Sequence, residues 1–386
     1  MATTHDELDF NGLKASTPGL PASHYFDPER HALELRRIWQ RHWVYAAREE
    51  ELPAARCFKA VDIGGQNILL VRGEGGELRA FHNTCRHRGA RLCLESAGSL
   101  RGGSIVCPYH AWSYSLDGRL QRTTSKSIPP DFRLADHSLY PVSVRRWRGF
   151  AFVSLAAEPP EFAAGFDAPL ERLDAWPLED LRVAHAFSKN VRCNWKIFWE
   201  NYSECLHCPG VHPQLSQMVP IYGRALMEQR EDPQWRAHAE DDDPRYRGGL
   251  RRGARTWSSD GQLSGKPFPG LSEEDWRSGA VYVTCLPSLF VVAHPDYVRT
   301  VRVLPLGPEL TELRIEYLLT PDNIAAPGFD LSRVLEFTGR VLDEDAAACE
   351  WNQAGLRAAP HQRGVLMPEE YVVRQFHDWL RAEAGE

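Results

Sequence analysis

The sequence lacks long hydrophobic runs: nowhere in its 386 residues does an apolar stretch approach the roughly 20 residues that cross a membrane. Residues 1–21 are polar and show no cationic patch followed by an apolar stretch, so we expect no secretion signal. Basic residues are also in deficit, since 45 Lys and Arg residues against 52 Asp and Glu residues give a net charge of -7. This deficit argues against non-specific binding to nucleic acid. The sequence also contains neither internal repeats nor low-complexity tracts.

The composition is otherwise that of an ordinary globular protein, with 43% hydrophobic and 25% charged residues. The length allows two or three domains with an ample core. Nine cysteines without a secretion signal predict a cytoplasmic protein whose cysteines remain thiols or metal ligands. Cys205 and Cys208 form a C-x-x-C motif that could indicate a redox disulfide. Two histidines in the same segment favour another chemistry, so we expect thiols at both positions.

Two Cys-His pairs are the most specific motif: Cys85 with His87, and Cys107 with His110. Two thiolates and two imidazoles are the ligand set of a Rieske-type 2Fe–2S cluster, in which the cysteines bind one iron and the histidines the other. Zinc is the alternative, because it also accepts two cysteines and two histidines. Zinc fingers, however, usually present a cysteine pair followed by a histidine pair. The order found here favours an iron–sulfur cluster that receives single electrons from a donor protein.

The pattern of apolar residues predicts two kinds of structure in turn. Residues 27–41 have helical spacing, whereas residues 44–155 contain short β-like runs separated by Gly-rich turns. This second pattern predicts a small antiparallel β domain that carries both Cys-His pairs on loops. Residues 158–177, rich in proline and charge, are a candidate boundary region.

The remainder of the chain predicts a second domain that mixes helices and strands. Residues 193–205 and 331–356 have helical spacing, and the second of these patterns is the longest in the chain. Residues 232–270 are polar and poorly periodic, which predicts a long loop or lid. Four runs have strand character and predict an antiparallel sheet: 281–285, 289–293, 298–303 and 313–319.

A second metal motif lies where the first of these helices ends. Glu204 and His207 are three residues apart and share one helical face. Pro209 and Gly210 then break the helix, and the turn can bring His212 beside His207. Two neutral imidazoles and one carboxylate form the facial triad that binds ferrous iron and leaves positions open for dioxygen and substrate.

The carboxylate of such a triad must come from a distant element. Asp343, Glu344 and Asp345 on the long late helix are the candidates, and we choose Asp345. The alternative for the two histidines is a hydrogen-bonded pair near a helix end. Glu204 is either a solvated helix residue or a carboxylate that orients a metal-bound histidine through a hydrogen bond.

With both metal motifs in place, the chain resembles the large (α) subunit of the Rieske non-haem iron oxygenases, the aromatic-ring-hydroxylating dioxygenase family. Four segments carry the resemblance: CRHRGA at 85–90, CPYHAW at 107–112, NWK at 194–196 leading into ENYSECLHC at 200–208, and DAAACE at 345–350. The resemblance implies an α+β fold. A Rieske antiparallel β domain (44–157) is followed by a catalytic helix-grip (START/SRPBCC-like) domain with an antiparallel sheet around a long helix (158–386). An N-terminal helical segment (1–43) would pack on the catalytic domain.

The resemblance also implies the roles of the site residues. It assigns the four residues of the Cys-His pairs to the cluster, namely Cys85, His87, Cys107 and His110. It assigns the mononuclear iron to His207, His212 and Asp345. The family uses the residue at Glu204 to bridge a cluster histidine of one subunit, here His110, to an iron-bound histidine of its neighbour, here His207. Such a bridge implies a head-to-tail ring, a homotrimer or a hexamer.

Most ring-hydroxylating members have Asp where this chain has Glu204. Glutamate there is similar to the branch that oxidises quaternary ammonium compounds such as glycine betaine, stachydrine and carnitine. We therefore expect an oxygenase component that hydroxylates an N-methyl group, which leads to N-demethylation and formaldehyde. An NAD(P)H-dependent flavin or iron–sulfur reductase would supply the electrons. The alternatives are hydroxylation of an aromatic ring or aromatic acid, and an electron carrier without oxygenase activity. A quaternary ammonium ion would require an aromatic cage, whose residues the sequence does not single out.

Overall fold

The computed structural model describes residues 10–162 and 168–386. Contacts divide the described residues into two compact units. The smaller unit comprises residues 35–162 and 286–288, and the larger unit comprises residues 10–34, 168–285 and 289–386. The predicted division after residues 43 and 157 stays a prediction. Residues 1–9 of the predicted N-terminal segment and residues 163–167 of the predicted boundary region lie outside the described residues.

The helix predicted at residues 27–41 is confirmed. Strand β1 (Thr17–Pro21) precedes helix α1 (Pro28–Glu34), which is followed by a π-helical stretch (Leu35–Trp39). Pro28 stands at the first position of α1, where a missing N–H costs nothing and the fixed φ suits the helix.

The smaller unit is an antiparallel β structure, as predicted. A seven-stranded sheet has the order β2-β11-β10-β5-β4-β3-β6, and a three-stranded sheet has the order β7-β8-β9. The strand bounds are β2 Val44–Arg48, β3 Cys57–Ile63, β4 Gln66–Arg72, β5 Leu78–His82, β6 Ala97–Ser99, β7 Ser104–Val106, β8 Ser113–Ser115, β9 Leu120–Arg122, β10 Pro141–Trp147 and β11 Phe150–Ser154. Gly64 and Gly65 join β3 to β4 with φ of 56° and 76°, which a two-residue hairpin requires.

The larger unit is built on a five-stranded antiparallel sheet of order β12-β16-β15-β14-β13. Its strands are β12 Arg182–Val191, β13 Val281–Cys285, β14 Leu289–Ala293, β15 Val298–Gly307 and β16 Leu310–Leu319. A further strand, β17 (Arg363–Leu366), pairs with β1. The four predicted strands are confirmed, whereas β12 was not predicted. Nine of its ten residues are exposed or half-buried because it lies at the edge of the sheet, so they lack a clear apolar alternation.

The longest helix crosses the inner face of this sheet. The helices of the larger unit after α1 are α2 Trp195–Tyr202, α3 Cys208–Val211, α4 Pro213–Met218, α5 Pro244–Arg247, α6 Glu273–Ser278, α7 Pro321–Ile324, α8 Ser332–Gly355 and α9 Tyr371–Ala384. Thr338 on α8 and Tyr317 on β16 share a buried hydrogen bond of 2.6 Å between their hydroxyls. The predicted α+β class, with an antiparallel sheet around a long helix, is therefore confirmed.

The segment predicted as a long loop, residues 232–270, is largely irregular. It contains a short 3₁₀ turn (Trp235–His238) and the four-residue α5. Trp257 within it is nevertheless buried, and its ring contacts helix α8 at Phe337. Across residues 10–162 and 168–386, every helix is too short or too polar to traverse a bilayer.

Candidate metal centres

The two Cys-His pairs lie on loops with the same backbone design. The first loop follows β5, and the second connects β7 to β8. In each, the cysteine carbonyl accepts a hydrogen bond from the amide four residues later, at 2.9 Å from Gly89 to Cys85 and 3.0 Å from Ala111 to Cys107. Both donor residues have positive φ, 76° and 51°. The backbone turns therefore match, although the histidine follows its cysteine by two residues in the first loop and by three in the second.

The four side chains of these loops are unequally buried. Cys85 and Cys107 lie in the core of the smaller unit, at 3% and 2% exposure, whereas His87 is exposed and His110 half-buried. The two imidazole rings are 4.8 Å apart between centroids. Burial, with the neighbouring Cys107 thiol, raises the pKa of Cys85, and the Tyr114 hydroxyl lies 3.2 Å from its sulfur. The structure thus groups the thiols inside and the imidazoles outside, an arrangement that suits a cluster with one cysteine-bound and one histidine-bound iron.

The second predicted ligand set converges in the larger unit. His207 lies between α2 and α3, His212 caps α4, and Asp345 lies in the middle of α8. The Nε2 atoms of the two histidines are 3.2 Å apart. Asp345 Oδ1 lies 2.8 Å from Nε2 of His212 and 3.4 Å from Nε2 of His207. These three atoms therefore surround one point, as a metal-binding triad would.

A carboxylate faces the outer nitrogen of each imidazole. Glu204 Oε1 is 2.7 Å from Nδ1 of His207, and Glu344 Oε2 is 2.8 Å from Nδ1 of His212. Each carboxylate can accept the Nδ1 proton, which leaves the Nε2 lone pair directed at Asp345. Glu204 was predicted to orient a histidine in this way. Glu344 on the late helix was considered only as an iron ligand. In the structure it contacts the outer nitrogen of His212 and is not one of the three triad residues.

The electrostatics of this triad favour a cation at its centre. Burial lowers the pKa of His207, but the carboxylates of Asp345 and Glu204 outweigh burial and raise that pKa to about 9. Burial raises the pKa of Asp345, but both imidazoles outweigh it and hold that pKa below its usual value. Both shifts show that the carboxylates favour a positive charge between them and the imidazoles. A divalent metal supplies that charge, and this donor set is the facial triad of ferrous iron.

A cavity of about 540 Å³ opens beside the triad. Tyr371 lines it together with a group of four aromatic residues, none of which the sequence singled out as a cavity residue: Tyr202, Tyr222, Trp257 and Tyr282. Ring centroids are 6.5 Å apart for Tyr222 and Trp257 and 6.3 Å for Trp257 and Tyr282. Burial raises the pKa of both Tyr222 and Tyr282, whose hydroxyls are 3.2 Å apart, so both remain neutral phenols. The four residues come from α2, the turn after α4, the long loop and β13, so spacing in the sequence could not group them.

The expectation that Cys205 and Cys208 remain thiols is wrong. The structure joins them by a disulfide, with Cα atoms 5.0 Å apart. The Cys208 amide donates to the Cys205 carbonyl at 3.1 Å, so the chain makes one turn between them and the two side chains meet. The histidines that argued against a disulfide direct their Nε2 atoms at the triad, although Nε2 of His207 is also 3.9 Å from Sγ of Cys208, so both chemistries fit in one segment.

Two family models match the chain. A Rieske [2Fe-2S] domain matches residues 42–132, and the catalytic domain of the ring hydroxylating alpha subunit matches residues 178–386. These spans contain both predicted ligand sets, the first with the Cys-His pairs and the second with the triad.

Curated relatives and solved structures agree with these matches. The chain is 33% identical to the glycine betaine monooxygenase oxygenase subunit of Chromohalobacter salexigens, over 93% of this chain and 84% of that protein. It is 28% identical to the chloroplastic choline monooxygenase of Arabidopsis thaliana, over 94% and 82% of the two chains. Its fold is similar to a quaternary ammonium Rieske monooxygenase solved with L-carnitine, at a TM-score of 0.69 and 21% identity, covering 97% of this chain and 96% of that one.

Proposed function

The chain belongs to the family of Rieske ring-hydroxylating oxygenase alpha subunits, and on that premise we propose that it hydroxylates an N-methyl group of a quaternary ammonium compound. Membership confirms the predicted family and the predicted cofactors, a Rieske cluster and a mononuclear iron. It also argues against a zinc-stabilised module and against an electron carrier without a catalytic domain. The substrate class is the part that remains a proposal.

The observation that carries the proposal is the aromatic wall of the cavity beside the triad. A quaternary ammonium ion has no hydrogen to donate, so neutral aromatic faces are the groups that hold it best. Tyr202, Tyr222, Trp257 and Tyr282 line the same cavity as His207, His212 and Asp345. A methyl group held against these rings would lie next to the position that the triad leaves open.

The proposed site residues keep the roles that the resemblance implies. Cys85, His87, Cys107 and His110 would hold the cluster, and His207, His212 and Asp345 the iron. When bound, these two centres supply electron storage and the activation of dioxygen. Glu204 and Glu344 would keep the Nδ1 protons in place, so that each Nε2 lone pair faces the metal.

The hydroxylation consumes one dioxygen, two electrons and two protons. One oxygen atom enters a C–H bond of the N-methyl group, and the other leaves as water. The resulting N-hydroxymethyl group then loses formaldehyde as the C–N bond breaks and its hydroxyl proton is released, and a tertiary amine remains. The electrons would come from an NAD(P)H-dependent flavin or iron–sulfur reductase.

The position of Glu204 supports the proposal of a ring-shaped assembly. Its side chain lines the cavity wall, contacts His207 and is 12% exposed. We propose that it connects His207 to His110 of a neighbouring subunit, which requires a head-to-tail homotrimer or hexamer. Sedimentation of the purified protein would test the assembly, and a catalytically active monomer would contradict it.

The decisive experiment measures formaldehyde from the holoenzyme with a reductase and NADH. Glycine betaine, L-carnitine, choline and an aromatic acid are offered in parallel. We expect formaldehyde from at least one methylated ammonium compound, in proportion to the dioxygen consumed. The Asp345→Ala variant should release none, and Asp343→Asn, an exposed neighbour paired with Lys189, should match the parent. Hydroxylated product from the aromatic acid alone would overturn the proposal in favour of ring hydroxylation.

A further inference from the structure

Arg299 is a buried cation that faces the cavity. It lies on β15 opposite Tyr317 of β16, lines the cavity beside the triad and is 8% exposed. Across residues 10–162 and 168–386, its guanidinium has no carboxylate at ion-pair distance, and its buried Nε has no hydrogen-bond partner. Its Cζ lies 6.0 Å from the centre of the Trp257 ring.

Other arginines of the same sheet are paired. Arg302, three residues along β15 and on the opposite face, lies 3.1 Å from Glu312. Arg314 on β16 lies 3.5 Å from Glu316. Of these three arginines, Arg299 alone is unpaired, and Arg299 alone lines the cavity.

An unpaired buried charge is strongly unfavourable, so a site that keeps one is expected to gain a partner on binding. A guanidinium suits a carboxylate because two parallel N–H donors match its two oxygens. We propose that Arg299 binds the carboxylate of the substrate, and that the substrate is therefore a zwitterion with a methylated ammonium group and a carboxylate. This inference rests on the proposed function and narrows it.

The position of Trp257 indicates how far apart the two charges of the substrate lie. Its ring centroid lies 6.5 Å from that of Tyr222 and 6.3 Å from that of Tyr282, and the Arg299 guanidinium carbon lies 6.0 Å from its centre. Sites for the ammonium and the carboxylate would then both adjoin the same indole ring. A compact zwitterion such as glycine betaine fits this arrangement, whereas choline, which has a hydroxyl in place of the carboxylate, leaves Arg299 unpaired and places two cations in one cavity.

The competing explanation is that Arg299 balances the charge of Glu204, Glu344 and Asp345 and does not touch the substrate. Such a role would affect all substrates equally, because the charge of the triad does not depend on the ligand. Selectivity between a zwitterion and a cation is therefore the measurement that separates the two explanations.

The test compares the holoenzyme with its Arg299→Gln and Arg299→Lys variants. Binding of glycine betaine and choline is measured by calorimetry, and kcat and KM by formaldehyde release. We expect Arg299→Gln to lower the preference for glycine betaine over choline at least tenfold, mainly through a higher KM for glycine betaine. Arg299→Lys should retain part of this preference. Arg302→Gln, the matched control on the opposite sheet face, should leave the ratio unchanged. An unchanged ratio in Arg299→Gln, or equal losses for both ligands, would overturn the inference.

A second comparison needs no variant and decides the matter if Arg299→Gln fails to fold. The parent enzyme should bind glycine betaine at least tenfold more tightly than its methyl ester, which keeps the trimethylammonium group but loses the negative charge. Equal binding would overturn the role of Arg299 while leaving the proposed function intact. Binding of neither compound, together with no formaldehyde from any methylated ammonium compound, would instead contradict the proposed function itself.

Discussion

Glu344 Oε2 lies 2.8 Å from Nδ1 of His212, on the side of the imidazole that faces away from Asp345. Adjacent residues of α8 thus contact the two nitrogens of one ring. A carboxylate in this position fixes the ring and its tautomer, and it makes the opposite nitrogen more basic. The dipeptide Glu344-Asp345 therefore sets both the position and the donor strength of His212.

Removal of the outer carboxylate should weaken metal binding without abolishing it. We expect Glu344→Ala to lower the affinity for ferrous iron by about 10- to 100-fold, the usual effect of losing such a partner. Iron binding is measured by competition with a chelator. Asp343→Asn is the control, because Asp343 is 71% exposed and pairs only with Lys189 among the contacts of its carboxylate described here. Equal losses in both variants would contradict this role of Glu344.

The two metal centres should be separable by counting iron. The parent should contain about three irons per chain, two in the cluster and one at the triad. His207→Ala should reduce this to about two and keep the visible absorption of the cluster. Cys85→Ser should lose that absorption and keep iron at the triad, because the two ligand sets share no residue. Loss of cluster absorption in His207→Ala would show that the centres are not independent.

The ion pair of Glu34 and Lys196 should be essential for stability. Both side chains are fully buried, and Lys196 Nζ lies 2.8 Å from each carboxylate oxygen of Glu34. Burial works against the charged carboxylate, but Lys196 and Arg30 outweigh it and hold the pKa of Glu34 below its usual value. Glu34→Gln leaves a buried ammonium without its counter-ion, so we expect a loss of about 3–5 kcal/mol in unfolding free energy.

Urea denaturation of the holoprotein would measure this loss. Asp378→Asn serves as the surface control, because it removes the exposed pairs of Asp378 with Arg374 and Arg381 on α9. Surface pairs contribute about 1 kcal/mol or less. A similar, small effect of both substitutions would show that the buried pair is not a main source of stability.

Glu231 should make the stability of the larger unit depend on pH. It is buried, and burial raises its pKa from 4.5 to about 7. The fold thus favours the neutral acid, so the stabilisation is complete below pH 4.5 and is lost as the pH rises to about 7. Glu231→Gln does not titrate. The unfolding free energy of Glu231→Gln minus that of the parent should therefore increase by up to about 3 kcal/mol as the pH rises from 4.5 to about 7. Denaturation at pH 5 and pH 8 checks this, and a constant difference would contradict it.

The metal motifs could be predicted because each ligand pair lies within a short stretch of sequence. His207 and His212 are separated by a Pro-Gly break, and the Cys-His pairs by one or two residues. Asp345 lies far along the chain, and its selection over Glu344 needed the resemblance as well as the helical pattern. In the structure one carboxylate contacts Nε2 and the other Nδ1, so both candidates touch the same ring.

Residues brought together by the sheet could not be predicted. Trp257 lies in a polar loop, and Arg299 follows the strand pattern of β15 without a local signal for an unpaired charge. Their proximity depends on how the loop lies across the sheet, which spacing does not encode. The disulfide was missed for a different reason. The C-x-x-C motif was recognised, but the nearby histidines were taken to exclude a disulfide, whereas the structure has the disulfide and the histidine triad side by side.

If the Cys-His loops hold the cluster as proposed, their unequal burial would determine the direction from which electrons reach it. Apolar core shields the thiols of Cys85 and Cys107, while the rings of His87 and His110 reach the surface. Electron tunnelling through protein weakens steeply with distance, so the shortest path in and out would pass through the imidazoles. The reductase and the acceptor site of a neighbouring subunit would then use the same edge. The reductase and the neighbouring subunit would compete for that edge. Each would therefore have to dissociate quickly enough for the other to bind within one catalytic cycle.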